Sequence, residues 1–246
     1  MRDQRGPVTG EWSDLAFLNY RVDPGLLAPH LPAGTEPDLW RGECWLSVVG
    51  LHVRDLRIGG APAPLHRNFA QVNLRLCVRR VVRAAGATEV RPGAVLLREW
   101  VPRPALAAAP GLAREEPLQP ATLRRRTAPG ADPDAGAVAE YVWDELIRGG
   151  RLFAEARGPA EPLPAGSFEE WIVERCWGYS GRAGGPAAEY RVEHPRWTVR
   201  PAARAQLSGN LAATFGEEFA DVLHGEPQSA FLVGGSMVTV HAPEPI

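Results

Sequence analysis

The chain has 246 residues, 45% hydrophobic and 23% charged, with 27 basic and 29 acidic side chains and a formal net charge of −2. These values are those of a globular protein and exclude disordered, fibrous and strongly basic nucleic-acid-binding classes. All 27 basic residues are arginine, as in a GC-rich bacterial gene, and the missing lysine excludes side-chain Schiff-base catalysis, P-loop phosphate binding and kinase chemistry.

Strand signals dominate the chain. Trp12 to Val22 mixes aromatic and branched residues ahead of Asp23-Pro24-Gly25, a turn that starts a short helix over Leu26 to Leu31. Pro32-Ala33-Gly34 ends it, and Trp40-Arg41-Gly42-Glu43 reads as a hairpin tip leading into a strand from Cys44 to Ile58. The clearest alternation runs from Phe69 to Arg79: Val72, Leu74, Leu76 and Val78 share one face, and Gln71, Asn73, Arg75 and Arg79 the other. A further strand is predicted from Ala94 to Val101 and a short helix from Ala105 to Leu112, bounded by Pro104 and Pro110.

Thr127 to Gly136 reads as loop, followed by a hairpin of Val138–Asp144 and Arg151–Glu155 turning at Gly149-Gly150. Pro159 to Gly166 is a proline-rich connector, where the chain could divide. Ser167-Phe168-Glu169-Glu170 has the capping-box pattern and opens a short helix to about Arg175. Strands are expected over Trp177–Ser180, Ala188–Val192, Trp197 towards Leu207, and Ala230–His241 with a bulge or turn at Gly234-Gly235. The stretch around Ser208 to Leu223 is read as helical. Many short strands and few helices predict a mainly β protein, an antiparallel sheet system or barrel with small helices attached, as a single domain over 1–246.

The three cysteines are widely spaced, and no Cys or His spacing suits a metal, so neither a disulfide framework nor a metal site is expected. The N-terminus lacks a signal-peptide core, and no apolar run would span a bilayer, which predicts a cytoplasmic protein without a membrane partner. Signatures for serine hydrolases, dinucleotide binding, zinc proteases and calcium loops are absent, and no cofactor is expected.

Four segments could carry chemistry. Gln71, Asn73 and Arg75 would offer amide and guanidinium donors to a carboxylate or carbonyl if their face lined a cavity. Pattern alone leans to the other reading, a half-exposed strand with that face in water. Arg98-Glu99 closes an apolar strand, either at a pocket mouth or in a structural ion pair. Tyr190, Val192 and His194 share a strand face, and His194 could act as an acid or base or serve only as a strand-end histidine. Trp177 and Tyr179 could wall a small-molecule pocket or simply pack in a core, and eight tryptophans leave room for a homo-oligomer.

Several segments together resemble the DUF2071 (YqjF-like) family. They are Tyr20-Arg21-Val22-Asp23-Pro24 with Leu26-Leu27, His30-Leu31-Pro32 and Gly34; Asn73-Leu74-Arg75; Arg98 to Arg103; Trp177-Gly178-Tyr179; and Tyr190 to Trp197. The resemblance is collinear over about residues 10–240. It implies an acetoacetate-decarboxylase-like fold, a large curved antiparallel sheet closing into a cone-like barrel around a central cavity. It further implies that the Gln71 face and the His194 segment look inward; family members often carry Glu where this chain has Gln71. The decarboxylase relatives use a lysine Schiff base, and the local analogue of their lysine segment is Val101-Pro102-Arg103. Arginine cannot do that chemistry, because its guanidinium stays protonated.

These readings converge on a cavity for a small anionic or carbonyl-bearing molecule. Gln71, Asn73, Arg75, Arg98, Trp177 and Tyr179 are its expected binding residues, with Glu99 and His194 as acid/base candidates. Either lysine-independent, lyase-like acid/base chemistry or a non-catalytic binding or sensor role would use such a site.

Overall fold

Long runs of branched and aromatic residues in period-two alternation favour extended chain, and each run can bury one face only by pairing with its neighbours. In the computed structural model, residues 6–64, 67–84, 86–103, 118–128 and 137–246 are described. Among them 16 strands join in one sheet. In chain order they are β1 (Val8–Val22), β2 (Glu36–Pro37), β3 (Cys44–Ile58), β4 (Ala61–Pro62), β5 (Phe69–Ala84), β6 (Ala87–Val101), β7 (Leu118–Pro120) and β8 (Thr122–Ala128). There follow β9 (Ala137–Asp144), β10 (Gly150–Ala156), β11 (Glu161–Pro162), β12 (Trp177–Gly181), β13 (Ala187–Glu193), β14 (Thr198–Gly209), β15 (Ser229–Val240) and β16 (Glu244–Pro245). Helices are short: Pro24–Leu27, Phe168–Val173, Leu211–Phe215 and Glu217–His224.

The architecture is mainly β, as the sequence predicts. Strands β13, β12, β6, β5, β3, β1 and β15 pair in that order, and two residue pairs, Val192 with Val240 and Glu193 with Thr239, close them into a ring. The ring is not a regular antiparallel barrel, because β12 runs parallel to β6. At its other end β15 pairs with β14 instead, and from there β10, β9 and β8 extend as an outer layer.

The two faces of β5 divide the interior. Val72, Leu74, Leu76 and Val78 are fully buried in a cluster with Tyr141, Trp143 and Leu152 of the outer layer. On the other face lies the ring interior, where Phe17, Val49, Leu51, Val53 and Val238 form a second cluster.

Bulges set which residues reach that interior. Between β5 and β6 the register slips: Leu74 opposes Arg98 while Arg75 opposes Leu96. In β1, Asp14 takes a left-handed conformation (φ 54°) next to Ser13, whose partner on β15 is Gly235 (φ 79°), where a side chain on residue 235 would collide with the Trp12 carbonyl. Both extra residues reset the alternation, so Trp12 and Leu15, three positions apart, face the same side.

The bulge at Asp14 is held by outer-layer residues. Its carboxylate accepts from Arg125 and from Ser13 Oγ (3.1 Å). His52, half-buried beside it, accepts from Arg54 Nε at 3.3 Å through Nδ1. Burial, then Arg125 and Arg54, push the imidazole from 6.5 down to about 4. Between about pH 6.5 and pH 4 the unfolded chain therefore binds a proton there that the folded chain refuses, so stability falls as pH falls across that window. Urea unfolding at pH 7 and pH 5 should show a larger loss for the native sequence than for His52→Gln; equal losses would remove His52 as the cause.

Local expectations fare unevenly. Ser167 caps the Phe168–Val173 helix, its Oγ accepting from Glu170 N–H at 3.1 Å, and Glu170 accepts in return from Gly166 N–H at 2.5 Å. The stretch read as helical after Ser208 is two helices separated by Gly216, whose φ of 117° breaks the run. Thr127 and Ala128 lie in β8 rather than loop, because they pair with Ala139 and Val138. The remainder of that loop and the helix expected at Ala105–Leu112 lie outside the described residues. Across the Pro159–Gly166 connector, Glu161 pairs with Val199 and Leu163 is buried in the inner cluster.

Candidate functional site

The inner faces of the ring enclose a cavity of about 230 Å³, lined mostly by apolar side chains from β1, β3, β5, β6, β13 and β15. Gln71, Asn73 and Arg75 all line it. The reading of their face as water-facing is thus corrected: β5 is covered on both sides, and its polar side chains look into the ring.

Arg75 is the most constrained of them. Its Nη2 donates to the carbonyl of Ile172, in the last turn of the Phe168–Val173 helix, where unpaired carbonyls attract cations. Its Cζ lies 4.7 Å over the Phe17 ring. Its Nε is buried without a hydrogen-bond partner, and no carboxylate among the described residues is within ion-pair distance. Burial, with nearby Arg175 adding repulsion, lowers the guanidinium to about 10, which leaves it fully charged at neutral pH.

Arg175, which sequence reasoning passed over, lines the same cavity and is 5% exposed. It donates through Nη1 to the carboxylate of Asp38, and its Cζ sits 4.1 Å over Trp171. Its Nε and Nη2 have no partner. The available signal was an arginine two residues after the apolar run Trp171-Ile172-Val173, a position where a helix end turns into the core.

Glu99, 8% exposed, faces the cavity opposite Asn73, whose Oδ1 has no hydrogen-bond partner among the described residues. Arg98 does not join it. Neighbouring strand residues point to opposite faces, so Arg98 and Glu99 cannot both enter the ring. Arg98 instead donates to the Leu97 carbonyl at 2.7 Å and approaches Glu218 at 4.0 Å, on the outer side. Trp177 borders the cavity with Arg91 stacked 4.5 Å over it. Tyr179 is fully buried in the cluster between the layers and donates to the Arg91 carbonyl at 2.9 Å. The placement of Arg98 and Tyr179 among the binding residues is corrected accordingly.

His194 lines the cavity with Tyr190 and Val192, so the three share a face as their spacing predicts. Its ring stacks on Trp197 with centroids 3.8 Å apart, and Nδ1 donates to the Pro195 carbonyl at 2.9 Å. That bond leaves Nε2 as the basic nitrogen of the neutral ring. Arg103 is largely exposed and pairs with Glu145 at 2.6 Å. Among the described residues, no three His, Cys, Asp or Glu side chains converge as metal ligands, and no helix is long and apolar enough to cross a membrane.

Comparison with known proteins follows the same line. The family model DUF2071, an uncharacterized conserved protein, matches residues 9–234. The uncharacterized protein YqjF of Bacillus subtilis is 32% identical over 68 residues, which span 27% of this chain and only 28% of that protein. Among solved structures, the enduracididine biosynthesis enzyme MppR, complexed with the condensation product of pyruvate and imidazole 4-carboxaldehyde, superposes with a TM-score of 0.66 at 14% identity. That superposition covers 97% of this chain and 88% of MppR. MppR is also solved with pyruvate. An acetoacetate decarboxylase-like enzyme from Sphingomonas wittichii gives a TM-score of 0.64 at 15% identity over 97% and 92% of the two chains. Acetoacetate decarboxylase from Legionella pneumophila gives 0.65 at 12% identity over 98% and 87%. At such identities the likeness establishes the fold alone.

Proposed function

The chain belongs to the DUF2071 family, and from that membership and the cavity we propose that it binds a small carboxylate- or carbonyl-bearing molecule inside the ring, anchored on Arg75. One observation carries the reading: a largely buried guanidinium without a carboxylate partner among the described residues, its Nε unused, faces a mostly apolar cavity. An unpaired buried charge is costly, and an anionic ligand is the species that relieves it. MppR, on the same fold, is solved with pyruvate, a molecule of this kind.

The chemistry open to such a site is acid/base chemistry without an amine. Glu99 could take a proton next to a carbonyl, Arg75 could stabilise the charge that develops on oxygen, and His194 could return the proton. Schiff-base decarboxylation is closed to it, since the chain holds no lysine. A second reading rests on the Arg75–Ile172 hydrogen bond. A ligand drawing on Arg75 would also pull on the end of the Phe168–Val173 helix, which suits a sensor.

Titration of pyruvate and acetoacetate, followed by calorimetry, tests the anchor. Arg75→Ala should weaken binding by about 10- to 100-fold, the worth of hydrogen bonds to a charged group; equal binding by both proteins removes Arg75 from the site. Deuterium exchange at the carbon beside the bound carbonyl separates the two roles. Exchange lost in Glu99→Gln supports catalysis, and binding without exchange by the native protein supports the sensor.

A further inference from the structure

We infer that the ligand is a monocarboxylate with a long apolar body, its carboxylate shared between Arg75 and Arg175. The inference rests on reading the cavity as an organic-anion site and adds the second arm and the shape of the ligand.

The two arginines are held alike. Each guanidinium lies over an aromatic ring, Phe17 or Trp171, and each spends one Nη on a protein oxygen, the Ile172 carbonyl or the Asp38 carboxylate. What remains is Nε of Arg75 and Nε and Nη2 of Arg175, buried donors with no partner among the described residues. A carboxylate offers two oxygens with about four acceptor sites, enough to serve donors from both groups. Packing fixes both planes beforehand, so little side-chain freedom is lost on binding.

Charge sets the valence. Asp38 balances Arg175, which leaves one positive charge uncompensated among the described residues at this end of the cavity. The site therefore suits a single negative charge.

The strand register gives the shape. From Arg75 the inner face of β5 continues through Asn73 and Gln71 to Phe69, paired on β3 with Val49, Leu51 and Val53. Six residues of strand span about 20 Å. Along that length no further arginine lines the cavity among the described residues, and the β3 side is wholly apolar. A small acid would fill the charged end and leave the apolar end bare, whereas an aliphatic or aryl tail would cover it.

Calorimetric titration of the full-length protein with acetate, butanoate, hexanoate and octanoate tests this, with 1-octanol and octanedioate as controls. Affinity should rise about fourfold per added methylene, and octanoate should bind at least tenfold more tightly than either control. Arg175→Gln should weaken octanoate binding about tenfold. Should that variant fail to fold, Leu51→Trp, which narrows the apolar end, should weaken octanoate at least tenfold while sparing butanoate. Affinity independent of chain length but dependent on Arg75 would overturn the long-tailed ligand and leave the anion site standing. Octanol binding as tightly as octanoate would overturn the shared carboxylate, and no binding by any acid would remove both readings.

Discussion

Asp38→Ala should lower the unfolding free energy by about 3–5 kcal/mol, the range for stripping one partner from a buried ion pair. Asp38 and Arg175 are 9% and 5% exposed, and the carboxylate is the charge that balances Arg175 among the described residues. Its removal leaves a guanidinium buried against Trp171 with three N–H-bearing nitrogens unsatisfied instead of two. The double variant Asp38→Ala/Arg175→Met should recover much of the loss, because an apolar side chain of similar length needs no counter-charge. Urea unfolding followed by tryptophan fluorescence reads both. A single-variant loss below about 1 kcal/mol would mean that water reaches Arg175 and that the pair is not closed off as its burial implies.

The second large effect is expected at Tyr141, which joins the outer layer to the ring. Its side chain is fully buried, and its hydroxyl donates to the Asp14 carbonyl at 2.7 Å. Its ring lies flat against Gly50 of β3, where even a methyl group would overlap it. Tyr141→Ala should cost about 3–5 kcal/mol, the range for emptying a buried aromatic site. Tyr141→Phe should cost about 1 kcal/mol, since only the hydrogen bond to a bulged carbonyl is lost. Gly50→Ala should be destabilising as well, by overpacking. If Tyr141→Phe costs as much as Tyr141→Ala, the bulge at Asp14 matters more than the packing, and the account of how the layers are joined must change.

The strands were legible because burial and alternation leave a local trace. Val72, Leu74, Leu76 and Val78 alternate with polar residues, and the structure buries all four. The Ser167 cap was legible for a similar reason, since a capping box is satisfied within four residues. Arg98 was misplaced because a strand has two faces and a bulge can exchange them. The slip between β5 and β6 leaves Glu99 facing the ring and sends Arg98 outside. Tyr179 was misplaced because an aromatic residue reads the same whether it walls a pocket or fills the core between two layers.

Arg175 and Asp38 show the limit most clearly. They stand 137 residues apart, and nothing near either one announces the other. By itself the sequence determined a mainly β chain, the inward-capable row of Gln71, Asn73 and Arg75, and the absence of any lysine. The last point is a matter of covalent chemistry that no fold can alter. Only the tertiary structure decided that the row faces a cavity rather than water, because that depends on β13 meeting β15 to close the ring. Only it decided that a second arginine shares the cavity, because long-range pairing, not local spacing, carries Arg175 to Arg75.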